Sequence, residues 1–255
     1  MGSQVDCVGA TLADELVTNG DAYEVADLAV ENDRRIVIAF VGMAFEARIA
    51  AGPGVQVVCR SAERELATVV RSAVRQGYRG MISFGVAGGL TTDLRAGDWV
   101  VASTVLESQT VRATDSAWSG KLLGMIAGAV HAPIVGVDDP VAEPAKKREL
   151  HNSTGAAAVD MESHVVARLA AAHQLAFAAV RVIVDPVDRE LPTAALLGMR
   201  PDGRADVAGV LRDLMARPSQ LSPLARIAVD AFAARAAMLR VRRSLGPHFG
   251  LVDLA

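Results

Sequence analysis

Apolar residues in this chain fall into short, nearly unbroken runs separated by helical patterns. Residues 36–41, 55–59, 81–86, 133–137 and 177–184 are each of strand length and rich in β-branched side chains. They lack polar alternation, as strands covered on both faces do. A further strand opens at 97–101, behind a turn at 93–96. Residues 61–76 read as a helix capped by Ser61, with Glu63 and Glu65 in its first turn. Residues 143–150 read as a charged helix with a solvated face. The densest stretch runs from 156 to 192. It holds a short strand at 156–159 and then a helix with Val165, Val166, Leu169 and Ala172 at helical spacing. A strand at 177–184 follows, interrupted only by Arg181 and ended by Asp185-Pro186. This alternation predicts an α/β protein.

Ligands of open α/β sheets bind outside the carboxyl ends of the strands. Asp160, Glu162 and Asp185 all follow strand ends and therefore converge on one rim. Glu46 lies just past the first strand and joins them; the other reading of Glu46 is a solvated carboxylate favoured by a helix dipole. Ala87-Gly88-Gly89-Leu90 follows the third strand, where bare glycines let the backbone approach a ligand or simply form a tight turn. The spacing is neither a Walker loop nor a dinucleotide fingerprint.

Composition narrows the picture. A chain of 255 residues suits one domain with a large core, here 35–217, behind an extension at 1–34. A net charge of −3 and pI near 6.0 give no case for nucleic acid. Cys7 and Cys59 have no metal-ligand spacing and make no disulfide framework, which predicts a reduced, cytoplasmic protein. His131, His151, His164 and His173 form no ligand set, and no metal or cofactor is expected. Mean hydropathy is +0.29, yet the uncharged stretch 122–137 is broken by glycine and proline and is shorter than the roughly 20 residues of a spanning helix. The segment 218–255 begins a helix at Ser222-Pro223 and carries Leu224, Ile227, Ala231, Met238 and Val241 at helical spacing. Its cations are Arg226, Arg235, Arg240, Arg242 and Arg243, against the single acid Asp230. Such a helix either packs on or beside the same domain with its arginines in water, or lies on an anionic membrane surface.

Four motifs occur in one order: Gly42-Met43-Ala44-Phe45-Glu46 after the first strand, Val86-Ala87-Gly88-Gly89-Leu90, Val159-Asp160-Met161-Glu162-Ser163, and Arg181-Val182-Ile183-Val184-Asp185-Pro186. Over residues 35–192 the chain resembles the nucleoside phosphorylase and nucleosidase superfamily, in particular the 5′-methylthioadenosine/S-adenosylhomocysteine nucleosidases. Residues 45–54, 159–164 and 242–247 resemble more closely the bacterial hopanoid-associated nucleosidases, also named phosphorylases. The resemblance implies a three-layer αβα sandwich around a mixed, mostly parallel sheet, a homo-oligomer, and release of adenine from adenosylhopane. A lipid substrate of that kind implies peripheral contact with a bilayer.

The same resemblance assigns roles. Asp185 is the general acid at adenine N7, where a raised pKa suits an acid working near neutrality. Glu162 takes the ribose hydroxyls, with Met161 and Asp160 beside the sugar. Val141 meets the base, Ala87 and Gly88 bring the backbone close to the substrate, and Glu46 with Arg181 holds the attacking water. From the residues alone, Asp185 also reads as an Asp-Pro turn and Arg181 as the buried partner of a structural acid. Val184 replaces a usual serine, Pro140 an aromatic that stacks on adenine, and Asp160 a glutamate. Phosphorolytic members place an arginine where Glu46 stands, which favours water here; Arg48 is the nearby cation that points to phosphate instead. The remaining alternatives are a purine nucleoside phosphorylase and a nucleoside-binding protein without catalysis.

Overall fold

The computed structural model describes residues 36–59, 63–190 and 221–251. The extension at 1–34, the cap Ser61 and the end of the 156–192 stretch lie outside them. Eight strands form one sheet: β1 (Val37–Val41), β2 (Val55–Cys59), β3 (Gly80–Gly89), β4 (Trp99–Glu107), β5 (Thr110–Ala113), β6 (Val130–Gly136), β7 (Ala158–Asp160) and β8 (Ala176–Asp185). The helices are α1 (Ala44–Ala50), α2 (Glu63–Arg75), α3 (Ser116–Met125), α4 (Pro144–Thr154), α5 (Ser163–His173) and α6 (Leu221–Ser244).

Strand β1 lies parallel to both β2 and β3. Strand β8 runs parallel to β3 and antiparallel to β4. The path continues from β4 to β6 and β7 through parallel pairs, and β7 returns antiparallel to the end of β3. Strands β3, β8, β4, β6 and β7 thus close into a ring. Asp160 at the end of β7 and Arg181 and Asp185 on β8 are thereby brought against the same strand.

Helices cover both faces. Val37, Ala39 and Val41 pack with Ala47 and Ile49 of α1, Trp118 and Leu122 of α3, and Ala234, Ala237 and Met238 of α6. The alternate residues Ile38 and Phe40 pack with Leu66 and Val70 of α2 and with Val166 and Leu169 of α5. Each such side chain contributes about 1.5–3 kcal/mol on burial. Two-sided burial explains why these strands read as continuous apolar runs.

Three features differ from the sequence reading. Strand β3 does not stop at Val86: Gly88 and Gly89 stay in the strand and pair with Val159 and Ala158. A side chain at Gly89 would press on Ile183 at 3.3 Å, so the glycines admit neighbours rather than turn the chain. The hairpin strand β5 and helix α3 carry no strong period and were not anticipated. Cys59 is disulfide-bonded, against the expectation of reduced thiols; Cys7 lies outside the described residues.

Helix α6 buries Ala234, Ala237 and Met238, while Ala231, placed on the apolar stripe by its spacing, is exposed. Arg242 reaches back to α1: its Nε donates to Ala50 O at 3.0 Å, its Nη1 to Gly246 O at 2.8 Å, and the guanidinium lies 4.6 Å over the Phe249 ring. A Cβ at Gly52 would run into Arg242 Nη2. Residues 45–54 and 242–247, far apart in sequence, are one packed unit.

Candidate active site

Helix α1 starts directly beyond β1, and Glu46, in its first turn, folds back on the strand ends. Glu46 Oε2 accepts from the N–H groups of Gly42 and Met43, both at 2.8 Å, and Oε1 accepts from Val86 N–H at 2.8 Å. The residue is 1% exposed, so the solvated helix-start reading does not hold. Burial pushes its carboxyl above the ordinary value; Arg181 and the three N–H donors pull the other way. The site requires a bare Gly85, because a Cβ there would lie 2.6 Å from Arg181 Nη1 and 2.7 Å from Glu46 Oε1.

Arg181 is wholly buried and joins three of the acids. Its Nε pairs with Asp160 Oδ2 at 2.5 Å and its Nη2 lies 3.4 Å from Glu162 Oε2. Nη2 also donates to Ser83 Oγ at 2.5 Å. Burial favours loss of its proton, but Asp160, Glu162 and Glu46 together outweigh burial and raise its pKa. Asp160 is placed differently from the expected ribose contact. Its Oδ1 accepts from Ser163 N–H at 3.2 Å, and Oδ2 accepts from Ser163 Oγ–H beside Arg181. With its side chain 1% exposed, Asp160 holds the guanidinium rather than facing a ligand. Ser83 and Ser163, which complete this network, were not among the site residues expected from the sequence.

Glu162 keeps an open edge, with its side chain 16% exposed. Its carboxylate lies against Gly42, where a Cβ would sit 2.8 Å from Oε1. Met161 beside it is half-buried, as is Val141, which packs near Leu90, Val135 and Val159. Ala87 and Gly88 are buried in β3. Gly88 lies under Asp185: a Cβ there would be 3.2 Å from Oδ2 and 3.3 Å from Oδ1. Gly42, Gly85 and Gly88 therefore each admit one carboxylate against the sheet.

Asp185 ends β8, 6% exposed, and its partner was not foreseen. Lys147 on α4 is completely buried, and its Nζ donates to Asp185 Oδ2 at 2.6 Å. The same ammonium donates to the carbonyls of Asp185, Pro186 and Arg189 at 3.2, 3.1 and 3.1 Å. The solvated face predicted for this helix holds for Lys146 and Arg148 but not for the residue between them. Burial raises the Asp185 carboxyl above its ordinary value, and Lys147 offsets this only in part.

Arg48 is exposed on α1 while Glu46 is buried, and residues two apart on a helix do not face the same way. Among the described residues the cations at this rim are Arg181 and Lys147, and each is already paired with carboxylate. Among the described residues no cluster of His, Cys, Asp or Glu has the arrangement of a metal site.

The fold is shared with solved nucleosidases of low sequence identity. Futalosine hydrolase of Helicobacter pylori is 15% identical, covers 82% of this chain and 97% of its own, and has a TM-score of 0.56. A putative 5′-methylthioadenosine/S-adenosylhomocysteine nucleosidase from Francisella philomiragia is 14% identical, with 83% and 96% covered and a TM-score of 0.56. A mutant of the Helicobacter pylori 5′-methylthioadenosine/S-adenosylhomocysteine nucleosidase, with aspartate changed to asparagine, holds 5′-methylthioadenosine in its active site. It is 13% identical, with 82% and 98% covered and a TM-score of 0.55. No curated protein sequence matches the chain. The family model of the phosphorylase superfamily matches residues 35–216, and the chain belongs to that superfamily.

Proposed function

We propose that this protein is an N-glycosidase that releases adenine from an adenosyl substrate, with water as the nucleophile. One observation carries the choice of water: the carboxylates of Glu46, Asp160 and Glu162 gather around Arg181, which is already paired. A phosphate brought next to Glu46 would meet repulsion of about 4 kcal/mol per pair of unit charges at 4 Å in a medium of effective dielectric near 20. Among the described residues no free cation at the rim offsets it.

The geometry supports the following chemistry. A carboxylate has about four lone-pair sites, and three N–H groups occupy Glu46 while leaving one on Oε1. That site takes a hydrogen of the attacking water, and Glu46 receives the proton as the water oxygen bonds to the anomeric carbon. The C1′–N9 bond breaks with its electron pair moving to the base, and protonated Asp185 donates its proton to N7, so that adenine leaves neutral. Glu162, the acid with an open edge, accepts from the ribose hydroxyls.

The substrate we favour is adenosylhopane, for two reasons. The motifs at 45–54, 159–164 and 242–247 point to it. Helix α6 also exposes Val229, Phe232 and Leu239 beside the exposed Arg226, Arg235, Arg240 and Arg243, a surface suited to an anionic bilayer. Asp185→Asn tests the mechanism: turnover should fall by about 10²–10⁴-fold, to a measurable residual rate, while ligand affinity stays near that of the native enzyme. Cleavage at the native rate would remove Asp185 from the reaction.

A further inference from the structure

We propose that Lys147 is a positioning residue for the acid. By occupying Asp185 Oδ2 it assigns the transferable proton to Oδ1, and by binding three carbonyls it fixes the turn that follows. The inference rests on the reading of Asp185 as general acid given above.

An ammonium has three donors and no acceptor. Lys147 Nζ has the carboxylate oxygen and three carbonyls within 2.6–3.2 Å, so every donor is engaged. A proton on Oδ2 would point a donor at a donor, whereas a proton on Oδ1 meets no such conflict. Lys147 therefore decides which oxygen can act as acid. The carbonyls it binds, from Asp185, Pro186 and Arg189, span the turn after β8, so one side chain sets both the carboxyl plane and its backbone. A buried ammonium is costly unless its donors are satisfied, and the carboxyl oxygen with the three carbonyls satisfies them whether or not Oδ1 carries a proton.

The other charges near Asp185 do not duplicate this contact. Asp230 on α6 acts to raise the Asp185 pKa but is itself paired with Arg189 at 2.7 Å. Arg148 and Asp188 pair with each other at 3.0 Å in solvent. Beneath the carboxyl, β3 presents only Gly88. Among the described residues Lys147 is the cation in contact with the acid.

The experiment compares Lys147→Met, Lys147→Gln, Asp185→Asn and the Lys147→Met/Asp185→Asn double variant by pH–rate profiles of adenine release. Removing the cation raises the Asp185 pKa further, so the basic limb of kcat/KM in Lys147→Met should move to higher pH. The plateau kcat should fall about tenfold with little change in KM. In the Asp185→Asn background, Lys147→Met should cost nothing more. An unshifted basic limb in both Lys147→Met and Lys147→Gln, or an equal loss in the Asp185→Asn background, would overturn the proposal. A carboxyl-carbon NMR titration, with the Asp185 signal assigned by its absence from Asp185→Asn, reads the same shift without turnover. Failure of the acid assignment appears separately, as normal turnover in Asp185→Asn. If Lys147→Met does not fold, Lys147→Gln, which keeps donors for the turn, carries the test.

Discussion

Replacing Gly85 with alanine adds one methyl where two charged groups already meet. The new Cβ would lie 2.6 Å from Arg181 Nη1 and 2.7 Å from Glu46 Oε1, short of ordinary 3.4 Å contact by about 0.8 and 0.7 Å. Neither neighbour is a free end. Glu46 is fixed by three backbone donors, and Arg181 by Asp160 and Ser83. The methyl must therefore displace the carboxylate that holds the water or the guanidinium beside it. A misplacement near 1 Å in a reacting array costs about 100-fold, or about 2.7 kcal/mol of transition-state stabilisation. Overpacking of this kind costs about 1–3 kcal/mol of stability. We expect Gly85→Ala to remain folded at 25 °C and to lose about 100-fold in kcat/KM for adenine release. Gly120→Ala is the control: no atom lies within 4 Å of its Cβ position inside α3, so its kinetics should be unchanged and its stability slightly higher. A folded Gly85→Ala protein with native kcat/KM would refute the assigned geometry of Glu46 and Arg181.

Other consequences can be checked with simpler measurements. Glu46 must be ionised and Asp185 protonated, and burial raises both carboxyls. The kcat/KM profile should therefore be bell-shaped, with its acidic limb, set by Glu46, above the ordinary carboxylate range and a basic limb set by Asp185. Because both folded pKa values exceed their unfolded ones, the stability linked to them is complete below the ordinary carboxylate range. It is lost as pH rises through the folded values, so the unfolding temperature of the ligand-free protein should fall over that interval; a rise would contradict the burial of both groups. Arg242→Ala removes two hydrogen bonds and the contact over Phe249, and should cost about 1–3 kcal/mol in denaturant titrations without altering the pH profile. Liposome flotation should recover the protein with anionic but not neutral vesicles, and Phe232→Ser with Arg240→Ser should abolish recovery. Equal recovery by the variant would exclude α6 as the contact.

The rim of acids was legible because each acid ends an apolar run. Glu46, Asp160, Glu162 and Asp185 all follow strands whose two-sided burial makes them continuous in sequence. The division of labour among them was not legible. Asp160 and Glu162 differ by two positions, yet one faces Arg181 in the interior and the other keeps an open edge, a distinction set by the return of β7 onto β3. Lys147 sits between the exposed Lys146 and Arg148 in a helix whose composition reads as solvated. Its burial follows from how α4 meets the turn after β8, 38 residues away. Gly88-Gly89 read as a turn because glycine ends strands more often than it extends them. Here the missing side chains make room for Asp185 and Ile183. On α6 the spacing of apolar residues marked a helix but not its inward face, because alanines serve on either side.

The most direct test of the account is adenine release from detergent-dispersed adenosylhopane, and from 5′-methylthioadenosine, in phosphate-free buffer and again with phosphate added. The account predicts release at the same rate in both buffers, with a free ribosyl product. Release that requires phosphate and yields a ribose 1-phosphate would contradict it, and would place an anion beside Glu46 where the charges of this site oppose one.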